Sequence, residues 1–220
     1  MIRGLASLAL LLAVAACGGS TATPAATSPT ASALPAGTYT STAFRPSVTF
    51  TLPDGWVIAA DTAGYFQVRP VESDLVGLHL FRDVFAASQD PACPTTAAPG
   101  VGRTSTEIVT WIRGLAGLSV AAPVMVDVGG LRGVGVDIAI AAGWTQSCSF
   151  ANGVPTVPLL TDGAGLRWVV AGSERLRLYV LDVPDGGTVI VDLDAFDGDL
   201  YDSLLKVGAP IVKSLEFAGG

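Results

Sequence analysis

Apolar and polar residues alternate along several short segments of the chain, which is the pattern of β-strands with one buried face. The apolar members of these series are Val48, Phe50 and Leu52; Val76, Leu78 and Leu80; Leu176, Leu178 and Val180; and Val189, Val191 and Leu193. The polar residues between them are expected on the opposite, outward face of each strand. In the last two series these outward residues are Arg175, Arg177, Asp192 and Asp194.

A β-hairpin is predicted where two further apolar runs flank the pair Gly129-Gly130. The runs cover residues 124–128 and 131–140, and two consecutive glycines are a strong signal for a tight turn between antiparallel strands. Pairing about this turn places Asp127 opposite Arg132, which is a favourable cross-strand pair of opposite charges.

A first helix is predicted after Thr104, because Thr104-Ser105-Thr106-Glu107 has the spacing of a capping box. The apolar residues that follow recur at helical intervals and are Ile108, Trp111, Ile112 and Leu115. Gly114 and Gly117 supply the signals that end this helix.

A second helix is predicted to begin near Asp197-Gly198-Asp199, where acidic residues suit the positive end of the helix dipole. Its apolar stripe consists of Leu200, Leu204, Val207 and Ile211. Pro210 is expected to kink or interrupt this helix, because proline lacks the amide donor that an interior helical position needs.

The predicted helices and hairpins are separated along the chain and do not alternate as they do in βαβ units. The fold class is therefore predicted to be α+β, with a largely antiparallel β-sheet and helices packed on it. Residues 38–220 contain no internal repeat and no second linker, so they are expected to form a single globular domain.

Residues 1–16 have the composition of an export signal, with Arg3 supplying a positive charge before an apolar run at residues 5–14. A helix of ten residues is too short to span a hydrocarbon core about 30 Å thick. The following Val14-Ala15-Ala16-Cys17 resembles the lipobox of bacterial lipoprotein precursors. The resemblance implies that Cys17 is acylated and anchors the exported chain to the outer face of the cell membrane. An ordinary secretory signal with an accidental cysteine is the alternative.

Residues 17–37 are predicted to form a flexible tether after the lipidated cysteine. Between Gly18 and Gly37 there is no charged and no aromatic residue, and Ser, Thr, Ala and Pro dominate the composition. Such a segment cannot bury enough apolar surface to offset the entropy lost on ordering. Tracts of this kind are also O-glycosylated in some proteins, which nothing in this sequence tests.

The composition excludes several classes of protein. Half of the residues are apolar, 14% are charged and the formal net charge is −7. This combination excludes intrinsic disorder of the whole chain and a general nucleic-acid binder, which needs a basic surface. A polytopic membrane protein is excluded as well, because the only long apolar run lies at the N-terminus.

If Cys17 carries lipid, two cysteines are left, Cys93 and Cys148. An even number of cysteines in an exported chain predicts one disulfide between them. Two free thiols are the alternative. A zinc site is not expected, because one histidine and two cysteines make a poor set of ligands.

Both ends of residues 38–217 resemble PsbP-like domains and the LpqN-type envelope lipoproteins. The opening motif runs from Gly37-Thr38-Tyr39 through Phe44-Arg45-Pro46 to Phe50 and Pro53-Asp54-Gly55-Trp56, and the closing motif is Ile211-Val212-Lys213-Ser214-Leu215-Glu216-Phe217. The resemblance implies an α/β/α sandwich around an antiparallel sheet and a binding or accessory module without catalytic activity. It supplies no catalytic residue that matches a position of this chain.

The candidate chemistry is sparse, and no cofactor motif and no catalytic set is predicted. His79 is the single histidine and is interpreted as a structural residue of a strand. Asp192 and Asp194 followed by Asp197-Gly198 partly match a calcium loop, but the glycine comes one residue late and position twelve is Ser203. Whether the acidic tract from Asp192 to Asp202 binds a cation is left open by the sequence.

Two hypotheses of function follow. The first is an envelope lipoprotein that binds an apolar ligand or a protein partner without catalysis. Trp144 and Trp168 are its candidate ligand-binding residues, although tryptophans in a domain of this size are more often part of the core. The second is an envelope hydrolase that uses paired carboxylates, since acidic residues are plentiful and their pairing is spatial. A large apolar cavity would favour the first, and two acids in one cleft would favour the second.

Overall fold

A computed structural model describes residues 32–218 of the chain. The strands are β1 (Gly37–Thr40), β2 (Val48–Leu52), β3 (Trp56–Asp61), β4 (Tyr65–Pro70), β5 (Val76–Arg82), β6 (Phe85–Ala86), β7 (Leu118–Val120), β8 (Val124–Val128), β9 (Leu131–Ile140), β10 (Thr156–Thr161), β11 (Leu166–Ala171), β12 (Arg175–Asp182), β13 (Thr188–Ala195) and β14 (Glu216–Phe217). The helices are α1 (Ser105–Arg113) and α2 (Tyr201–Lys213), with short 3₁₀ turns at Ser149–Ala151 and Gly198–Leu200.

An antiparallel sheet of eight strands forms the centre of the fold. Its order is β3-β4-β5-β13-β12-β9-β7, and β8 pairs with β9 beside β7. Every neighbouring pair in this sheet is antiparallel. The predicted α+β class with a largely antiparallel sheet is thereby confirmed.

Each face of the large sheet is covered by one helix and one small sheet. Helix α2 and the sheet β1-β2-β14 enclose one core, which includes Phe50, Phe66 and Ile211. Helix α1 and the sheet β11-β10-β6 enclose the other, which includes Phe81, Ile112 and Leu160. The large sheet is therefore buried on both faces over much of its area.

Burial on both faces corrects one prediction made from the alternating pattern. Asp192 and Asp194 do not face solvent, because their side chains lie in the second core with exposures of 0% and 1%. All eight residues of β13 are buried. Alternation assigns side chains to two faces of a strand, but in a central strand the polar face is also covered. Arg175 is exposed and Arg177 is partly exposed, as predicted.

Two local predictions from the sequence are confirmed in detail. In the β8–β9 hairpin, Asp127 lies opposite Arg132 on the two sides of the Gly129-Gly130 turn. At the start of α1, the Thr104 hydroxyl accepts a hydrogen bond from the backbone of Glu107, and the Glu107 carboxylate accepts one in return. Gly114 caps the end of that helix.

Helix α2 departs from its predicted form in two respects. It continues through Pro210 to Lys213. Pro210 cannot donate to the Lys206 carbonyl, but only the last turn of the helix lies beyond this missing bond. Its buried face is also rotated from the predicted stripe, so that Leu204 and Ile211 are buried while Leu200 and Val207 are 36% and 45% exposed.

The described contacts begin inside the segment predicted to be a tether. Leu34 pairs with Trp56, and the Ala36 amide donates to the Asp54 carboxylate at 2.6 Å. The chain therefore joins the fold beside the turn between β2 and β3. Residues 1–16 and Cys17, for which a signal peptide and lipidation are predicted, lie outside the described residues. Neither helix within residues 32–218 has the length and hydropathy of a membrane-spanning segment.

Candidate functional site

An apolar groove lies between helix α2 and strand β2, and we call it the α2–β2 groove. Its volume is about 530 Å³. The lining residues are Thr51, Leu52, Pro53, Val207, Pro210, Ile211 and Ser214. None of these seven side chains is charged, so the groove offers no group for an ionic ligand.

The local sequence explains why this groove stays open and apolar. Pro53 ends β2 and Pro210 lies in the last turn of α2, so each presents a ring without an amide donor. Val207 lies outside the buried face of α2 and is 45% exposed. Helix α2 packs closely on the sheet at Gly208, which does not line the groove. The contact requires glycine, because an added Cβ would lie only 2.7 Å from Leu193 Cδ2.

The two polar side chains of the groove are not free to bind a polar ligand. The Ser214 hydroxyl donates to the Ile211 carbonyl at 2.7 Å and accepts from the Thr51 amide at 2.9 Å. The Thr51 hydroxyl forms a 3.1 Å hydrogen bond with that of Thr38. Because these groups already have partners inside the protein, the groove is suited to apolar atoms.

A disulfide joins Cys93 and Cys148, the two cysteines for which a bridge is predicted. Their Cα atoms are 5.7 Å apart, and the two residues are separated by 55 positions in sequence. Cys148 is buried and its amide donates to the Thr156 hydroxyl at 2.8 Å. The bridge therefore ties the loop after β6 to the segment that leads into β10.

Trp144 and Trp168, the candidate ligand-binding residues, lie in different surroundings. Trp144 lines a cavity of about 250 Å³ together with both disulfide cysteines, and its indole Nε1 donates to the Thr156 carbonyl at 3.0 Å. Trp168 is not part of that cavity. Its Nε1 donates instead to the Glu174 carboxylate at 3.0 Å. The two tryptophans therefore do not form a shared platform in that cavity.

Trp168 covers a buried polar cluster that the sequence does not predict. His79 lies beneath it, with ring centroids 4.6 Å apart. The His79 Nε2 atom is 2.8 Å from Asp194 Oδ1, and Nδ1 is 2.8 Å from the Tyr65 hydroxyl. His79 is 5% exposed, in agreement with its interpretation as a structural residue.

Burial shifts the acid–base properties of this cluster. Glu174 is fully buried, and loss of solvation raises the pKa of its carboxyl group to about 8 despite hydrogen bonds from the Ala171 amide and Trp168. Burial, together with the nearby Asp194 charge, raises the pKa of Asp192 well above its usual value. Neither carboxylate oxygen of Asp192 has a hydrogen-bond partner among the described residues.

The acids that flank this cluster in sequence, Asp182, Asp197 and Asp202, are dispersed over the structure. Asp182 accepts from the amide and hydroxyl of Ser105 at the start of α1. Asp197 accepts from the Asp199 amide in the 3₁₀ turn, and Asp202 is exposed in the first turn of α2. Over residues 32–218, no three His, Cys, Asp or Glu side chains are placed to hold a metal ion.

The α2–β2 groove itself is missing from the sequence predictions, although a weak signal for it exists. Val207 and Pro210 both belong to the predicted second helix, and Pro53 follows a predicted strand. Nothing in the sequence pairs β2 with α2, which are separated by about 150 positions, so the two sides of the groove cannot be brought together without the fold.

No protein-family model and no curated protein matches the sequence. Among solved structures, the chain is similar to the cyanobacterial PsbP protein of Synechocystis sp. PCC 6803, with 11% identity over 91% of this chain and 100% of that one, at a TM-score of 0.39. It is also similar to LpqN of Mycobacterium tuberculosis, described as involved in cell envelope biogenesis, with 13% identity over 78% of this chain and 83% of that one, at a TM-score of 0.38.

A protein from Bacteroides thetaiotaomicron VPI-5482 is similar to 78% of this chain, with 9% identity and a TM-score of 0.37. This chain spans 45% of that protein's length. PsbP and LpqN proteins, the two groups named by the resemblance of the terminal motifs, are thus both among the similar structures. No activity, ligand or partner is carried over from any of them, because likenesses with TM-scores below 0.5 support no such transfer.

Proposed function

We propose that this chain is a lipid-anchored protein of the cell envelope that binds one acyl chain of a membrane lipid in the α2–β2 groove without chemical change. The observation that carries this proposal is the groove itself, which has about 530 Å³ of volume and no charged lining residue. Pockets that bind small molecules are commonly 300–1,000 Å³ and mainly apolar.

The wall chemistry favours an acyl chain over a polar ligand. Leu52, Val207 and Ile211 present aliphatic surface, while Ser214 and the Thr51 amide satisfy each other. A ligand that brought hydroxyl or charged groups into this groove would lose its hydration without gaining partners. A hydrocarbon chain loses only unfavourable contact with water, which contributes about 0.8 kcal/mol per buried CH₂ group.

The place at which the chain enters the fold supports a lipid as the occupant. Pro53 lines the groove, and the adjacent Asp54 accepts the hydrogen bond from Ala36. Residues 18–31 are the fourteen positions between Cys17 and the first described residue, Ser32. An acylated Cys17 would therefore keep the groove within reach of the membrane surface, where acyl chains are abundant.

The geometry gives less support to the hydrolase hypothesis. Asp192, Asp194 and Glu174 are at most 1% exposed, so a substrate has no access to their carboxylates in this conformation. The α2–β2 groove contains no acid, and the 250 Å³ cavity beside the disulfide contains only Asp90. A pair of acids in one cleft, which glycoside cleavage requires, is not present in either.

Native mass spectrometry of the full chain, purified from its own host in mild detergent, tests the proposal. The expected spectrum shows the acylated chain with one further lipid that dissociates under denaturing conditions, whereas the covalent anchor remains. Val207→Asp should lose this lipid, and Met125→Asp, a more exposed apolar position on β8 that serves as the control, should retain it. A chain without bound lipid, or with a protein in its place, would refute the proposed occupant.

A further inference from the structure

Strand β8 forms an open edge of the large sheet. It pairs with β9 on one side, and no strand within residues 32–218 pairs with its other side, which we call the β8 edge. The register with β9 runs without a shift from Val124 to Val128. Val124 is 58% exposed and Met125 is 79% exposed, the highest value for a large apolar side chain in this part of the chain. A regular and apolar edge of this kind is a site at which another strand can pair.

The hairpin turn determines which backbone groups face the β8 edge. The two residues of the Gly129-Gly130 turn have φ values of 62° and 83°, as in a type I′ turn. Val128 and Leu131 flank this turn opposite each other, and such a flanking pair exchanges two backbone hydrogen bonds. Hydrogen-bonded and non-hydrogen-bonded pairs then alternate along the hairpin. The amides and carbonyls of Met125 and Asp127 therefore point away from β9, toward the β8 edge.

This arrangement makes β8 complementary to a second copy of itself. When two copies pair antiparallel about Val126, Met125 of each lies opposite Asp127 of the other, and each of these two pairs exchanges two backbone hydrogen bonds. A register centred on Met125 would instead place Asp127 opposite Pro123, which has no amide to donate. A register centred on Asp127 would place two carboxylates directly opposite each other. Only the register about Val126 pairs every outward backbone group without opposing like charges.

The side chains of two copies also match in this register. Val126 meets the partner's Val126 at the two-fold axis, and Val124 meets the partner's Val128 on the same face of the sheet. This is the face on which Val126 and Val128 pack against the core beneath α2. Asp127 lies opposite Arg132 within its own hairpin, so opposite charges adjoin at the edge and a second copy is not repelled.

The opposite edge of the large sheet, β3, is protected from strand pairing. Its first residue, Trp56, already pairs with Leu34, and its register with β4 shifts within the strand. At its last residue, the Asp61 carboxylate accepts hydrogen bonds from the amides of residues 42–44. Covered and irregular edges resist the addition of a strand. A series of copies therefore cannot grow through β3, and association through β8 stops at a closed dimer.

We propose that two copies of this chain associate through their β8 edges and join two sheets of eight strands into one antiparallel sheet of sixteen. Each copy covers the exposed Val124 and Met125 side chains of the other, which removes apolar surface from water. The interface contains no lining residue of the α2–β2 groove, so the dimer does not depend on the proposed binding of an acyl chain.

Disulfide cross-linking of the full chain, purified in mild detergent, tests the register. Val126→Cys places two thiols opposite each other at a non-hydrogen-bonded pair, where the Cα atoms lie about 4.5 Å apart, within disulfide range. Mild oxidation should convert most of this variant into a covalent dimer, since Cys93 and Cys148 are already joined to each other. Met125→Cys is the matched control and should stay largely monomeric on a denaturing gel, because its two copies are offset by two residues.

The dissociation constant of the dimer, measured by analytical ultracentrifugation, tests the same interface without added cysteines. Met125→Asp opposes the partner's Asp127 twice in each dimer and should raise the dissociation constant about tenfold. Met125→Lys faces the same carboxylate with the opposite charge and should not weaken the dimer. Both substitutions replace a side chain that is 79% exposed, so both variants should fold as wild type does.

A monomeric wild-type chain, equal cross-linking of Val126→Cys and Met125→Cys, or equal weakening by Met125→Asp and Met125→Lys would overturn the proposal. Cross-linking of Val126→Cys to a different polypeptide in place of a second copy would overturn it as well. Val207→Asp separates this inference from the proposed function, because it should lose the bound lipid and keep the dimer. Met125→Asp should keep the lipid and weaken the dimer.

Discussion

The Nε2 atom of His79 lies 2.8 Å from the Oδ1 atom of Asp194. The two residues belong to the adjacent strands β5 and β13 and point into the same core as Asp192 and Glu174. This core consequently holds three carboxyl groups and one imidazole with almost no access to water. Such a cluster makes the stability of the fold depend on pH.

The free energy of unfolding should fall as pH rises from about 4.5 to about 8. The Glu174 carboxyl group has a pKa of about 8 in the folded chain, and the unfolded chain has the ordinary value near 4.5. In this interval the unfolded state releases a proton that the folded state retains, so rising pH favours unfolding. The loss should be on the order of 3 kcal/mol.

Urea denaturation at pH 5 and pH 8 measures this effect. Glu174→Gln should reduce the difference between the two pH values, because its side chain does not titrate. Its stability at pH 5 should be lower than that of wild type, since Trp168 and the Ala171 amide donate to different oxygens of Glu174, and the NH₂ group of glutamine would face one of these donors. The exposed control Glu72→Gln should keep the wild-type dependence. If the stability of Glu174→Gln depended on pH as strongly as that of wild type, Glu174 would not be the group whose raised pKa causes the effect.

Removal of the Cys93–Cys148 bridge should destabilise the fold by about 2–4 kcal/mol. The bridge closes a segment of 55 positions, which restricts the unfolded chain. The double variant Cys93→Ser with Cys148→Ser should unfold at lower urea concentration than the oxidised wild type. Reduction of the wild type with dithiothreitol should bring the two midpoints together. If both proteins unfold at the same midpoint before reduction, the bridge contributes nothing to stability.

Cys17→Ser should move the chain from the membrane to the soluble fraction, because the predicted lipid anchor depends on this thiol. Phase separation in Triton X-114 measures the change, and metabolic labelling with palmitate should be lost in parallel. The double variant of the other two cysteines is the matched control and should stay in the detergent phase. Continued membrane association of Cys17→Ser would show that the anchor lies elsewhere.

Local features of this fold could be read from the sequence, and features that depend on layering could not. The Thr104 capping box and the pairing of Asp127 with Arg132 need only neighbouring residues, and the structure confirms both. The burial of Asp192 could not be foreseen, because alternation does not reveal that both faces of a strand are covered. Its burial follows from the central position of β13 in the large sheet, which the sequence pattern does not show.

The candidate sites also differ in whether neighbouring residues alone can predict them. Trp144 lies four positions before Cys148 in the sequence, and it lines a cavity with Cys93 and Cys148. The α2–β2 groove is not predictable from local sequence, because its two sides come from distant parts of the chain. The rotation of α2 that exposes Val207 follows from contacts with the sheet, which a helical periodicity alone does not specify.

Titration of the full chain with cis-parinaric acid, a fluorescent fatty acid, tests the central claim most directly. Val207→Asp places a charge in the apolar α2–β2 groove, and Met125→Asp places the same charge on β8, where Met125 is 79% exposed. The account predicts saturable binding of one fatty acid per chain, weakened at least tenfold by Val207→Asp and unchanged by Met125→Asp. Binding that does not saturate, or that survives Val207→Asp at full strength, would contradict it.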